Sequence, residues 1–178
     1  MTTQQLDDTD QRREAERLLA NPQGPDDRAR AYVILGVLSE REQDWQAAVA
    51  NYSRALAAVP HHPHTLYFSN NNLGYSLIQQ SRFDEAEDYC VAAIEVDEQR
   101  HNAHKNLGLV YQGQGRWLDA AFCFAMAYRR NPRDPRAWHH LEQLLQTRPN
   151  LLRQHEDLSQ EIDGLRQMIE TGGCAFTH

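Results

Sequence analysis

The sequence predicts an all-α fold built from repeated helix-turn-helix units, and three observations lead to this prediction. The dipeptide Leu-Gly recurs at Leu35-Gly36, Leu73-Gly74 and Leu107-Gly108. The glycines are 38 and then 34 residues apart, which is one period of 34 with a four-residue insertion before the second copy. Each dipeptide is followed by Ala-x3-Tyr, Ala-x3-Cys or Ala-x3-Phe, and no alternating strand pattern competes. A period of this length indicates a stack of similar supersecondary units.

Each copy predicts two helices. Its apolar and small residues are spaced 3, 1 and 3, which places them on one helical face, and the alanine motif does the same for a second helix. Asp44 and Gly115 mark turns inside two hairpins, and Pro60 and Pro132 end second helices because proline cannot continue a helix. We predict helices over residues 29–42, 45–58, 65–80, 83–96, 101–114, 117–130 and 135–147.

The two ends predict caps for the repeat array. Residues 10–20 predict a short charged helix, followed by a linker at 22–25. Residues 150–170 carry leucines and isoleucines at 3–4 spacing, and we expect a helix docked on the last hairpin, because a terminal repeat exposes an apolar face that must be covered. The same spacing is also that of a coiled-coil seam, which leaves self-association as an alternative. We expect residues 171–178 to be disordered.

These motifs identify a resemblance to the tetratricopeptide repeat family, whose signature is W-x2-L-G-x2-Y, then A-x3-F, then P. The resemblance covers residues 29–147, with departures at Asn70, Glu98 and Glu142. It implies a right-handed α-α superhelix, or solenoid, of about three and a half repeats with terminal capping helices. The implied organisation is a capping helix and linker (1–28), three repeats (29–62, 63–100 with the inserted loop, and 101–134), a half repeat (135–149), a capping helix (150–170) and a tail (171–178).

The resemblance also implies where a ligand binds, because in this family the first helix of each repeat lines the concave groove. The residues of this sequence at the groove positions are the candidate site. They are Arg30, Val37, Arg41, Phe68, Asn71, Asn72, Tyr75, Asn102, Lys105, Asn106, Leu109, Arg136, His139 and His140.

Two features of this set bear on binding. Asn72 and Asn106 occupy the same repeat position, where an amide can pair with the backbone of any peptide or simply remain hydrated. Phe68 and Tyr75 could anchor an apolar ligand group or pack between neighbouring helices. The carboxylate clamp of the family's chaperone-binding members is matched only at Asn72, and we do not expect it.

Charge favours an acidic ligand. The full set of groove positions, which also includes Glu40, carries a net charge of +3 from Arg30, Arg41, Arg136 and Lys105 against Glu40, whereas the whole chain carries −7. A positive face on an acidic protein favours an acidic peptide or a free carboxylate. The alternative is a chance distribution of a few charges.

Composition and motifs exclude other classes. The net negative charge offers no basic footprint for nucleic acid, and no apolar run approaches the ~20 residues that span a bilayer. The first ten residues lack the features of a secretory signal, and three cysteines do not suggest a disulfide scaffold, so we expect a cytoplasmic protein. His61, His62, His64, His139 and His140 do not have the ligand pattern of a structural zinc site. We expect no metal, no cofactor and no enzymatic activity.

The sequence therefore predicts a binding module that holds a protein or peptide segment in a concave groove. A self-associating structural protein, dimerising through its C-terminal helix or its groove, is the alternative.

Overall fold

The computed structural model describes residues 3–171, and the side chains of residues 7–171. Within that range it contains ten α-helices and no β-strand. The helices are α1 (Thr3–Ala20), α2 (Pro25–Arg41), α3 (Trp45–Ala57), α4 (Pro63–Gln79), α5 (Phe83–Val96), α6 (His101–Gly113), α7 (Trp117–Arg130), α8 (Arg136–Thr147), α9 (Leu151–Gln154) and α10 (Glu156–Glu170). The chain divides into an N-terminal unit, Met1–Glu98, and a C-terminal unit, Gln99–His178. The all-α prediction is confirmed for the described residues.

Close helix contacts at glycine explain why Leu-Gly recurs. A methyl group added to Gly36 would lie 2.5 Å from Cε1 of Tyr52, and one added to Gly108 would lie 2.6 Å from Cδ1 of Phe124. Gly74 stands in the same relation to a cysteine sulfur on α5, at 2.7 Å. Only glycine lets the second helix of each hairpin approach so closely, which outweighs the cost of about 1 kcal/mol for glycine in a helix.

The turn inside each hairpin has the same backbone geometry. Gln43, Ser81 and Gly115 follow α2, α4 and α6 with φ angles of 58°, 58° and 77°. This left-handed conformation ends a helix, and only the third copy supplies the glycine that adopts it most easily. Asp44 then caps α3, since its Oδ1 accepts a hydrogen bond from the Ala47 amide at 2.9 Å. The hairpin turns thus lie where the sequence predicts them.

In the N-terminal unit, α1 packs along α2. Ala15 and Leu18 are buried against Ala31, and the flanking Leu19 and Ile34 pack around them. Helix α1 begins by residue 3 rather than residue 10, and α2 begins at Pro25, four residues before the predicted start. The second shift arises because proline at the first helical position is compatible with a helix start.

In the C-terminal unit, the last helix packs within the chain. Leu158, Ile162 and Leu165 of α10 are fully buried in the same core cluster as Phe124 of α7 and Leu141 of α8. The predicted single helix over 150–170 is wrong, because the helix is interrupted at His155, whose extended backbone separates α9 from α10. The central residues of the apolar stripe that could have served as a dimer seam are therefore buried within this chain, whereas Leu151 is half-buried and Ile169 is exposed.

The C-terminal tail lies largely outside the described residues. Helix α10 closes with the Thr171 hydroxyl donating to the Gln167 carbonyl at 2.8 Å. The expectation of disorder over 171–178 otherwise falls on residues that the structure does not describe. None of the described helices is both long and apolar enough to cross a membrane.

Candidate functional site

The candidate residues lie on four first helices, α2 and α4 in the N-terminal unit and α6 and α8 in the C-terminal unit. We call the surface formed by α2 and α4 the N-terminal face, and that formed by α6 and α8 the C-terminal face. The two faces differ in charge, in burial and in the shape of the surface, and they are described separately.

On the N-terminal face, both arginines are engaged by α1. Arg41 Nη1 pairs closely with Oδ1 of Asp8 and lies 3.6 Å from Oδ2 of Asp7. Arg30 Nη2 lies 3.6 Å from Oε1 of Glu14. The positive charge predicted for this face is therefore offset by the acidic residues of α1. Sequence reasoning missed this because it began the first helix at residue 10 and treated it only as a cap.

A cavity of about 280 Å³ lies between α2 and α4. Val33, Ile34 and Phe68 provide most of its apolar wall, and Arg30 lies at its edge. The remaining lining residues, His64 and Thr65, belong to the first turn of α4. Of these six residues the candidate set contains only Arg30 and Phe68. Val33 and Ile34 occupy further groove positions of the first copy, and the spacing of 38 residues between Gly36 and Gly74 was the available signal for His64 and Thr65.

The asparagines of the N-terminal face bond within the unit. Asn71 Nδ2 donates to Asn72 Oδ1 at 2.9 Å, and Asn72 Nδ2 donates to the Tyr52 hydroxyl at 3.3 Å. Behind them, Ser76 Oγ lies 3.4 Å from Glu40 Oε1. Burial raises the pKa of the Glu40 carboxyl above its usual value. Burial, and then the nearby Glu40 charge, also raises the pKa of Tyr52. Asn72 thus serves first to hold the α3–α4 contact.

The aromatic and aliphatic candidates of this face have separate environments. Phe68 stacks at an angle on His64, with ring centroids 4.5 Å apart, and lines the cavity. Tyr75 packs edge-on against Trp45 of α3, at 5.9 Å between centroids. Val37 lines a shallow cleft between α1 and α2. Phe68 is therefore the candidate that faces open space next to an apolar wall.

On the C-terminal face, Arg136 is held at the start of α8. Its guanidinium bonds both oxygens of Asp134, at 2.8 and 2.5 Å, and Nη2 also reaches Asn102 Oδ1 at 3.4 Å. Nε2 of His101 lies 2.9 Å from Oδ2 of Asp134, the oxygen that Arg136 Nη2 also bonds. The pKa of Asp134 is held well below its usual range, chiefly by the hydrogen bond from Arg136. This network joins the beginnings of α6 and α8.

Basic side chains crowd the same face. Lys105 is 7% exposed, and its pKa is lowered by burial and then by Arg136, with Asp134 opposing. His140 stacks on Phe124 at 5.3 Å. Its pKa is lowered by burial and then by Lys105, His139 and Arg136. Each group thus makes a second positive charge more costly for its neighbours.

Besides Lys105, two candidates of the C-terminal face are less accessible than the sequence predicts. Asn106 is only 2% exposed, so a bound backbone cannot reach it as it would a hydrated amide. Leu109 packs against the core cluster of α7 and α8. Exposed side chains at the predicted positions are those of Arg136 and His139.

Metal and thiol chemistry find little support in the described part of the chain. It contains no group of three or more His, Cys, Asp or Glu side chains arranged to hold a metal ion. Cys90 is fully buried in its hairpin, whereas Cys123 is only half-buried. Burial and the nearby Asp119 raise the pKa of the Cys123 thiol to about 12.

Comparisons with known proteins agree with this architecture. A tetratricopeptide repeat model matches residues 12–63 and 71–135. The TPR domain of Arabidopsis OM64 is similar, with 20% identity, a TM-score of 0.63, and coverage of 68% of this chain and 97% of that one. MamA (41-end) from Desulfovibrio magneticus RS-1 covers 92% of this chain and 96% of its own, at 16% identity and a TM-score of 0.63.

A third similar structure is the first TPR of Spaghetti (RPAP3) bound to the HSP90 peptide SRMEEVD. It has 16% identity and a TM-score of 0.62, and the match covers 71% of this chain and 98% of that one. At these identities the likeness concerns the fold. Comparison with curated proteins gives no match to this sequence.

Proposed function

This chain belongs to the tetratricopeptide repeat family, and we propose that it is a non-catalytic scaffold that binds a segment of a partner protein on its first helices. The C-terminal face accepts carboxylates of that segment. The observation that supports the proposal is the crowding of Lys105, Arg136, His139 and His140 on one face, with Asp134 as the acidic partner.

The electrostatics of this face favour an anion. Burial, and then the positive charge of basic neighbours, lowers the pKa of both Lys105 and His140. A ligand carboxylate beside Arg136 and His139 would reduce this repulsion and gain charge-assisted hydrogen bonds. On the N-terminal face, Arg41 offers no such gain, since α1 already supplies Asp7 and Asp8 to it.

A similar structure supports a peptide as ligand. The Spaghetti (RPAP3) domain was solved with the peptide SRMEEVD, which contains three acidic residues. The shared repeat fold makes that peptide a suitable probe for this chain, whatever its own partner is.

The test measures binding of fluorescein-labelled SRMEEVD by anisotropy, with SRMQQVN as the neutral control. We expect SRMEEVD to bind more tightly, with affinity decreasing as salt increases because exposed charges are screened. Arg136→Gln should weaken SRMEEVD binding about threefold to tenfold, as expected for the loss of one charge-assisted contact.

Arg153→Gln provides the matched control. Arg153 is exposed on α9 in the same unit, but it lies outside the candidate face. Its replacement by glutamine removes one positive charge, as Arg136→Gln does. It should leave binding unchanged. If Arg136→Gln and Arg153→Gln weakened SRMEEVD binding equally, the loss of affinity would follow from the net charge of the protein and not from the candidate face, which would contradict the proposal. Equal binding of SRMEEVD and SRMQQVN would also contradict it.

A further inference from the structure

We propose that the cavity between α2 and α4 is an anchor pocket for one large apolar side chain of a bound segment that carries a carboxylate next to it. The assignment deepens the proposed function, on which it rests. It concerns the N-terminal face, so that the two proposals can fail separately.

The pocket exists because α4 has an additional turn. Helix α4 begins at Pro63, 11 residues before Gly74, whereas α6 begins at His101, only seven residues before Gly108. The difference of four residues equals the insertion between the first two Leu-Gly motifs, and four residues are about one helical turn. His64 and Thr65, which lie in that turn, form one wall of the cavity. The insertion therefore forms an additional first turn in α4 that α6 of the third copy lacks.

The wall is fixed in place from α2. Asp26 Oδ1 accepts hydrogen bonds from the backbone amides of His61 and His62, both at 2.9 Å. These two residues immediately precede Pro63, so the bonds tie the start of α4 to the start of α2. His64 also packs on Phe68, at 4.5 Å between centroids. A pocket held in this way requires little ordering when a side chain enters.

The size and lining of the pocket define the occupant. Its volume of about 280 Å³ is slightly below the range of ligand pockets, which runs from roughly 300 to 1,000 Å³. It therefore suits a single side chain, and Val33, Ile34 and Phe68 favour an aromatic or long aliphatic one.

Arg30 is the residue that would bind the carboxylate next to the apolar side chain. Its nearest acidic atom is Oε1 of Glu14, at 3.6 Å, which is beyond hydrogen-bond distance. Glu14 is instead bound by Arg17 through two hydrogen bonds of 2.8 and 3.0 Å. The side chain of Arg30 is 61% exposed at the cavity edge. A ligand carboxylate can therefore bind Arg30 without leaving Glu14 unpaired.

The test uses the full chain with labelled isoleucine and valine methyl groups, titrated with the dipeptide Ac-Trp-Glu-NH2 and followed by NMR. We expect saturable shifts of the Val33 and Ile34 methyl signals, and nuclear Overhauser contacts between the indole and Ile34. Ac-Trp-Gln-NH2 should bind about threefold to tenfold more weakly because it lacks the carboxylate. Ac-Ala-Glu-NH2 should not shift these methyl signals.

Two variants test the site itself. Thr65→Trp fills the cavity from its half-buried wall and should abolish the shifts. Arg30→Gln should remove the preference for Ac-Trp-Glu-NH2 over Ac-Trp-Gln-NH2, and Arg28→Gln, an exposed arginine on the same helix, should preserve it. Because Arg30 is at the surface, that variant and the wild-type Overhauser contacts remain informative even if Thr65→Trp folds poorly.

Several outcomes would overturn the assignment. These are shifts confined to methyl groups outside the pocket, unchanged binding to a folded Thr65→Trp protein, and no preference for the carboxylate in the wild type. Arg136→Gln should not affect Ac-Trp-Glu-NH2. The pocket can thus be supported even if SRMEEVD fails to bind the C-terminal face, and it can be refuted even if SRMEEVD binds there.

Discussion

The contact between Gly36 and Tyr52 gives a stability prediction with a matched control. A Cβ at residue 36 would lie 2.5 to 2.8 Å from three atoms of the Tyr52 ring. Carbon atoms pack best at about 3.5 to 4.0 Å, so the overlap is about 1 Å. Gly164 in α10 is the control, because a Cβ there would meet nothing within 4 Å.

The magnitude follows from the immobility of the ring. Tyr52 is completely buried, and its hydroxyl bonds Asn72. Overpacking of this kind costs about 1 to 3 kcal/mol, and losing the hydrogen bond costs about 1 more. The better helix propensity of alanine returns about 1 kcal/mol. We expect Gly36→Ala to lower the free energy of unfolding by about 1 to 3 kcal/mol, whereas Gly164→Ala should raise it by about 0.5 to 1.

Urea unfolding followed by far-ultraviolet circular dichroism measures both changes. In thermal unfolding, 1 kcal/mol corresponds to roughly 2 to 4 °C for a chain of this size. A Gly36→Ala protein as stable as the wild type would show that the α2–α3 hairpin can widen without loss. That result would refute the account of why Leu-Gly recurs. A destabilised Gly164→Ala would refute the use of the Cβ environment to distinguish the two sites.

Two further predictions concern titration and reactivity. The folded-state pKa of Asp134 is lowered by Arg136 and His101, so its contribution to stability is present above its unfolded pKa and is lost as the pH falls toward the folded value. Asp134→Asn should therefore flatten the decrease in unfolding free energy below about pH 4, as measured by urea unfolding between pH 2.5 and 5, and an unchanged slope would contradict the network. The thiol of Cys123, with a pKa of about 12, should be alkylated by iodoacetamide at pH 8 far more slowly than a free cysteine. Peptide mapping after timed quenching measures this rate, and rapid labelling of Cys123 would contradict its burial beside Asp119.

The sequence predicted the repeat architecture because its signals are local. Gly36, Gly74 and Gly108 recur because each allows the same close contact between the two helices of its hairpin. Prolines and turn residues indicate where the helices end. Helix starts were less accurate, since Pro25 and Pro63 are compatible with both a linker and a first helical turn. The break at His155 has no proline or glycine to mark it.

The candidate site was harder to predict because neighbours decide what a groove position does. The repeat register places Arg41 and Arg136 on equivalent faces, but the register does not show that α1 brings Asp8 to Arg41. Nor does it show that Asn106 is buried, since the same amide type at Asn72 remains partly accessible. These outcomes depend on packing between segments that are distant in sequence.

The two units differ in net charge, although the whole chain carries −7. The N-terminal unit has 17 acidic and eight basic residues, a net charge of −9, whereas the C-terminal unit has eight acidic and ten basic residues, a net charge of +2. An acidic ligand should therefore be repelled at long range by the first unit and not by the second. Within the N-terminal unit, binding must then rely on burial of an apolar group, with Arg30 acting only at contact distance. Increasing salt should consequently weaken binding of SRMEEVD at the C-terminal face more than binding of Ac-Trp-Glu-NH2 in the pocket, because screening acts on the first interaction and leaves the hydrophobic one nearly intact.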